Sequence, residues 1–195
     1  RLVRYADDFI ITGDTKEILE HSVKPLVADF LAERGLTLSE EKTKITHITD
    51  GFDFLGFNVR KFGDTLLTQP SKDRTKRMLS KVKDEIKRFR GDAQHELIMR
   101  LNPILNGWAN YYKHSAASNV FRKTDYQIYK KLWRWALRRH GNKCKGWIKN
   151  RYFHRIDGRD WVFAVKRKNE KHEEYFIPIT ILFNTKIEQN SDWNK

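Results

Sequence analysis

The chain's 195 residues suffice for one ordinary domain or two small ones, with 39% hydrophobic residues for a core and 33% charged residues for a wet surface. Lys and Arg number 39 against 25 Asp and Glu, a net +14 that suits a polyanionic partner, because cations that neutralise phosphates release condensed counterions. Cys144 is the single cysteine, which excludes a disulfide framework and a multi-cysteine zinc site, and no apolar run approaches the roughly 20 residues that would span a bilayer.

The first residue is not Met, and residues 2–5 already read as a strand, so the sequence is expected to begin partway through a domain. No secretory leader heads it, and one cysteine suits a reducing compartment. Two short β-prone runs, residues 2–5 and 9–12, flank Ala6-Asp7-Asp8, a tight-turn composition. Asp14 or Thr15 then caps a helix whose apolar positions (Ile18, Leu19, Val23, Leu26, Val27, Phe30, Leu31) follow the helical period to a stop at Gly35. Pro25 lies inside that pattern and predicts a kink or a late start. Residues 45–48, 52–59 and 65–68 read as short strands.

After Ser71 the character changes. Ser71 caps a helix carrying Met78, Leu79, Val82, Ile86 and Phe89 on one face and Lys or Arg on the other. A second helical pattern runs from Leu97 to Tyr111, interrupted at Pro103, and a third, capped by Ser118 or Asn119, runs through Phe121, Ile128, Leu132 and Trp135. Amphipathic stripes with short links predict a small helical bundle. From Gly141 the text is basic. Asp157-Gly158 between residues 152–156 and 161–165 signals a two-residue hairpin. Residues 166–174 read as a charged loop and 176–183 as a last apolar run, with fraying expected over 189–195.

Two adjacent acids at a hairpin tip are costly unless a cation sits there. A hard ion such as Mg²⁺ takes carboxylate oxygens while keeping its waters and substrate phosphates. An acidic β-turn is the plain alternative for Tyr5-Ala6-Asp7-Asp8. On the third helix Lys123, Lys130, Lys131, Arg134, Arg138 and Arg139 recur every few residues, and Lys143, Lys145, Lys149 and Arg151 prolong the run. Such a stripe suits a phosphate backbone, although a solvated face is the default for any one of these residues. Trp108, Tyr111 and Tyr112 read as core before base-stacking platforms.

The order of motifs resembles that of group II intron reverse transcriptase/maturases. Tyr5-Ala6-Asp7-Asp8 is similar to the catalytic YxDD hairpin. The stretches Gly35-Leu36-Thr37-Leu38-Ser39 and Phe54-Leu55-Gly56-Phe57 resemble the segment after the palm helix and the primer grip. Leu101-Asn102-Pro103-Ile104-Leu105-Asn106-Gly107-Trp108-Ala109-Asn110-Tyr111-Tyr112 looks like the thumb, or maturase domain X, and Arg159-Asp160-Trp161-Val162-Phe163-Ala164 like a later motif of that domain. The match fades after about Val165, where Ile181-Leu182-Phe183-Asn184 lacks an expected Arg-His.

The resemblance implies an α+β fold: the end of a polymerase palm over 1–70, a helical thumb over 71–141, and a basic, β-containing extension over 142–195. It implies RNA-directed DNA polymerase activity in the whole protein, with Mg²⁺ held by Asp7 and Asp8, Tyr5 and Ala6 bordering the primer end and nascent pair, and Leu55 and Gly56 holding the primer backbone. Implied partners are intron RNA, an RNA template, a DNA primer and deoxynucleotides, in a bacterial cytoplasm or an organelle. The alternative is a maturase fragment that binds RNA and assists splicing without polymerase activity. In that family a third carboxylate and the fingers lie upstream of the hairpin, so the segment alone is expected to be inactive.

Overall fold

A computed structural model describes residues 1–183. The chain divides into two compact units, Arg1–Leu67 and Thr68–Lys195. The expected α+β character is present, with strands and helices in both.

In the first unit, β1 (Leu2–Tyr5) and β2 (Asp8–Ile11) form an antiparallel hairpin in the register Leu2↔Ile11 to Tyr5↔Asp8. Thr15 then caps α1 (Lys16–Ile18) by accepting the Ile18 N–H at 3.3 Å. The chain widens into a π turn over Leu19–Val23 and returns to the α form in α2 (Lys24–Ala32), with Pro25 in the first turn. The helical backbone thus begins at Lys16 and not at Pro25; the proline's missing N–H falls inside the run, and the ladder is irregular just ahead of it, in the π turn. The helix closes with Leu36 N–H on Leu31 O and Gly35 N–H on Ala32 O, around Gly35 at φ +67. This Schellman arrangement favours glycine.

Residues 45–48 are not a strand, contrary to expectation. They lie in an irregular stretch that meets β4 only through isolated bonds, Lys61 N–H on Ile48 O at 3.0 Å and Arg60 Nε on Thr49 O at 2.7 Å. The run over 52–59 is two strands, β3 (Phe52–Phe54) and β4 (Phe57–Phe62), folded back at Leu55-Gly56. Both turn residues have positive φ, +49 and +85, the two-residue hairpin geometry that matches strand twist. The last strand of this sheet, β5 (Thr65–Pro70), runs on into the second unit. No residue of 1–67 is buried. Leu2, Val3, Leu26 and Phe30 all remain exposed.

The second unit holds the core. Ser71 caps α3 (Lys72–Arg88), accepting from Arg74 N–H. Met78, Val82 and Ile86, four apart, are its buried row. In α4 (Gln94–Tyr112), Leu97, Ile98, Leu101, Leu105 and Ala109 are fully buried. Pro103 does not interrupt this helix. An interior proline costs about 3 kcal/mol or more, and burying each large aliphatic side chain returns about 1.5–3 kcal/mol. In α5 (Ser118–Arg139), Phe121, Ile128, Leu132, Trp135 and Ala136 face inward. Its N-cap is Ala117, with no side-chain cap from Ser118 or Asn119.

The basic text after Gly141 contains a short helix not anticipated, α6 (Lys145–Tyr152), anchored by buried Ile148 and Tyr152. It leads into the sheet β6–β7–β8 (Phe153–Ile156, Arg159–Lys168, Glu174–Pro178). The Asp157-Gly158 turn is as predicted, both residues at positive φ, where Gly158 is free of the Cβ penalty. Residues 166–168 extend β7, which shortens the predicted charged loop. Asn102, within the thumb-like motif, staples the end of this sheet to α4: its Nδ2 donates to Pro178 O at 3.0 Å and its Oδ1 accepts from Thr180 N–H at 2.8 Å. Buried Gln94 likewise donates to Tyr152 O and Ala164 O. Asn184 and residues 189–195 lie outside the described residues.

Candidate functional site

The turn that joins β1 to β2 is Ala6-Asp7, closed by the Tyr5↔Asp8 pair. Ala6 sits at φ +51, and Arg4 Nε donates to its carbonyl at 3.0 Å. Apolar strands on either side leave the acids at the tip, where Tyr5, Ala6, Asp7 and Asp8 are all exposed. Among the described residues neither carboxylate forms an ion pair, and no group of three or more His, Cys, Asp or Glu side chains converges there or elsewhere. The donor set is hard and anionic, which fits Mg²⁺, but two carboxylates leave most of an octahedral shell to water and phosphate. Leu55 and Gly56, half-buried, occupy a separate hairpin turn.

The cations of the second unit are more closely gathered. Lys123, Arg134 and Arg138 are exposed on α5, with Lys130, Lys131 and Arg139 half-exposed. The structure adds neighbours from the end of α3 and the bend that follows it. Lys87 and Arg90 join Lys131, Arg138 and Arg139, with Ile86 and Trp135 as the floor, around a cleft of about 370 Å³. Among the described residues no acidic side chain lines it. Two donors from α5 set the cleft's shape: Trp135 Nε1 binds Phe89 O at 2.9 Å, and Arg139 Nη1 binds Arg90 O at 2.8 Å. Arg139 also lies over the Trp135 ring, so part of its role is structural.

Burial, then Lys83 and Arg134, depress the pKa of Lys131. Repulsion among cations of this kind is relieved when an anion enters. Sequence reasoning had marked the polar face of α3 as basic, but which of its residues meet α5 depends on the packing of the two helices.

The downstream cations sit beside aromatic rings. Lys143 Nζ lies 5.6 Å from the Trp147 centroid, Lys149 Nζ 4.5 Å from Trp161, and the Arg151 guanidinium 5.9 Å from Tyr152. Lys145 opens α6 and is exposed. Trp108 packs on Tyr112 and Phe121 at 5.0 and 5.2 Å, and Tyr112 is buried. The core reading holds for those two, whereas Tyr111 is exposed.

Residues 1–59 match the family described as reverse transcriptase (RNA-dependent DNA polymerase), and residues 75–153 match the group II intron, maturase-specific domain. The chain is similar to the Group II intron-encoded protein LtrA of Lactococcus lactis subsp. cremoris, 30% identical over 207 aligned positions, and equally to the protein of that name in strain MG1363. The alignments cover 90% of this chain and 34% of each relative, so the chain spans about a third of the length of the curated relatives it matches.

Proposed function

We propose, for a chain that belongs by both matched segments to the group II intron reverse transcriptase/maturases, that it supplies the acidic hairpin of the polymerase and an RNA-binding maturase surface. The observation that carries the maturase part is the acid-free cleft of Lys87, Arg90, Lys131, Arg138 and Arg139 inside the maturase-specific segment. Five cations, four of them on helices, suit the backbone of a folded intron RNA, which proteins read largely by shape. In this reading residues 1–70 are the end of the palm, 71–141 the thumb, and 142–195 a basic extension.

On the polymerase side, Asp7 and Asp8 hold Mg²⁺, and Tyr5 and Ala6 flank the primer end. Leu55 and Gly56 contact the primer backbone, while an RNA template, a DNA primer and deoxynucleotides are the substrates. Mg²⁺, when bound there, would supply charge neutralisation for attack of a primer 3′-hydroxyl on the α-phosphate. The chain's own contribution is a two-stranded hairpin with both acids exposed at its tip. The second reading, RNA binding without polymerisation by this segment alone, is favoured by the lack of a third acid beside Asp7 and Asp8 among the described residues.

The test is Asp7→Ala in a complete polymerase that carries this segment. Primer extension is expected to fall to background while intron RNA binding stays within about twofold, because the cationic surface is untouched. Near-normal extension would leave Asp7 a turn residue.

A further inference from the structure

Trp161 occupies an unusual backbone position for so large a residue. Where β6 meets β7, Ile156 faces Arg159 and His154 faces Val162, so Asp160 and Trp161 together oppose Arg155. The residue that absorbs this bulge, Trp161, has φ +65. Bulky side chains rarely adopt that conformation, and glycine adopts it freely. Burial does not explain the strain: Trp161 is 41% exposed, while its neighbours Val162 and Phe163 are buried. Strain held at an exposed aromatic ring points to use of the ring.

The ring is held by others. It meets Trp133 at 5.7 Å and Tyr129 at 6.4 Å, both edge-on, and rests on Phe153 at 6.4 Å. Lys149 Nζ stands 4.5 Å from its centroid. The one adjoining acid, Asp160, is paired with Arg155 at 3.7 Å. Tyr129 and Trp133 each precede a cation of the α5 stripe, Lys130 and Arg134, so the aromatic patch and the stripe lie on neighbouring faces of one helix.

Resting on the RNA-binding reading above, we propose that Trp161, braced by Tyr129, Trp133 and Phe153, is a stacking platform for an unpaired nucleobase of the bound RNA, with Lys149 taking the adjoining phosphate. A part-exposed aromatic ring beside a lysine, in a chain of net charge +14, complements a base joined to its phosphate. A continuous duplex offers no free base face, so the platform selects looped or single-stranded segments.

The experiment compares the wild-type chain with Trp161→Gly and Trp161→Phe. Glycine suits the φ of the bulge, so it removes the ring while keeping the backbone conformation, and phenylalanine restores a smaller ring. Binding is read by fluorescence anisotropy with a short labelled oligoadenylate RNA and with an RNA duplex of equal length, across a salt series. Trp161→Gly is expected to weaken the oligoadenylate by about tenfold or more, the order of one stacked base, with duplex affinity and salt slope unchanged. Trp161→Phe is expected to recover most of the loss.

Equal oligoadenylate binding by wild type and Trp161→Gly would overturn the platform while leaving the RNA-binding reading intact. So would a loss shared by single strand and duplex, or one that phenylalanine does not repair. A concentration-dependent sedimentation change that Trp161→Gly abolishes would assign the ring to contact with a second copy and likewise overturn it. A wild-type chain that binds neither RNA overturns both readings.

Discussion

Asp125 of α5 accepts the backbone N–H groups of Leu182 and Phe183, one on each carboxylate oxygen, at 2.9 and 3.0 Å. The contact pins the segment after β8 across the helices, with Leu182 fully buried beneath it and the Phe183 ring under the guanidinium groups of Arg122 and Arg159. It complements Asn102, which holds Pro178 and Thr180 a few residues earlier.

Burial pushes the Asp125 carboxyl up to about 6, against the two N–H donors and Arg159, which favour the charged form. The folded chain therefore binds this proton more tightly than the unfolded chain. Its contribution to stability is fully present below the ordinary aspartate range and is lost as pH rises towards and through about 6. The stability difference between wild type and Asp125→Asn should shift in favour of wild type by on the order of 2–3 kcal/mol from pH 7 to pH 4. At pH 7 Asp125→Asn should cost about 1–3 kcal/mol, since one N–H would face an amide donor. Urea unfolding of both proteins across that range checks this, and a pH-independent difference would refute it.

Asn102→Leu should destabilise the second unit by on the order of 2 kcal/mol, because Pro178 O and Thr180 N–H lose their partner in a half-buried place. Thermal unfolding measures it. A residue serving only as an RNA contact would leave the melting temperature unmoved.

Ser71 is buried, and its hydroxyl satisfies an otherwise unpaired donor at the start of α3. Ser71→Ala should cost about 1 kcal/mol, and Ser71→Gly somewhat less. Chemical denaturation distinguishes these from the negligible effect expected of a solvated serine.

Neutralising Lys131, Arg134 and Arg138 together to Gln should flatten the slope of log K against log salt by roughly two to three for intron RNA, at about 0.7–0.9 for each phosphate contact. Adding Lys87→Gln and Arg90→Gln should flatten it further, because these side chains line the same cleft. Filter binding over a salt series reads both. A slope that ignores Lys87 and Arg90 would move the contact along the α5 face, away from the cleft.

Local chemistry made much of this chain legible in advance. The Asp157-Gly158 turn, the Ser71 and Thr15 caps and the rows Met78-Val82-Ile86 and Leu97-Leu101-Leu105 rest on interactions a few residues apart, so spacing and residue type suffice to find them. The turn at Leu55-Gly56 escaped because an unbroken apolar run reads as one strand when its hairpin pairing is unknown. Pro103 looked like a break because the burial that outweighs its cost comes from packing against α3, β7 and β8, which the spacing within α4 does not reveal.

The acids of the first hairpin and the cations of α5 stand in the sequence itself, as do the motifs that resemble the matched families. Only the tertiary structure decided that Lys87 and Arg90 join Lys131, Arg138 and Arg139, that Asn102 and Asp125 clamp the chain after β8, and that Trp161 stands strained and exposed beside Lys149. Charge and pattern are properties of neighbours along the chain. Convergence depends on how packed helices and sheets bring distant residues together, and no spacing rule encodes it.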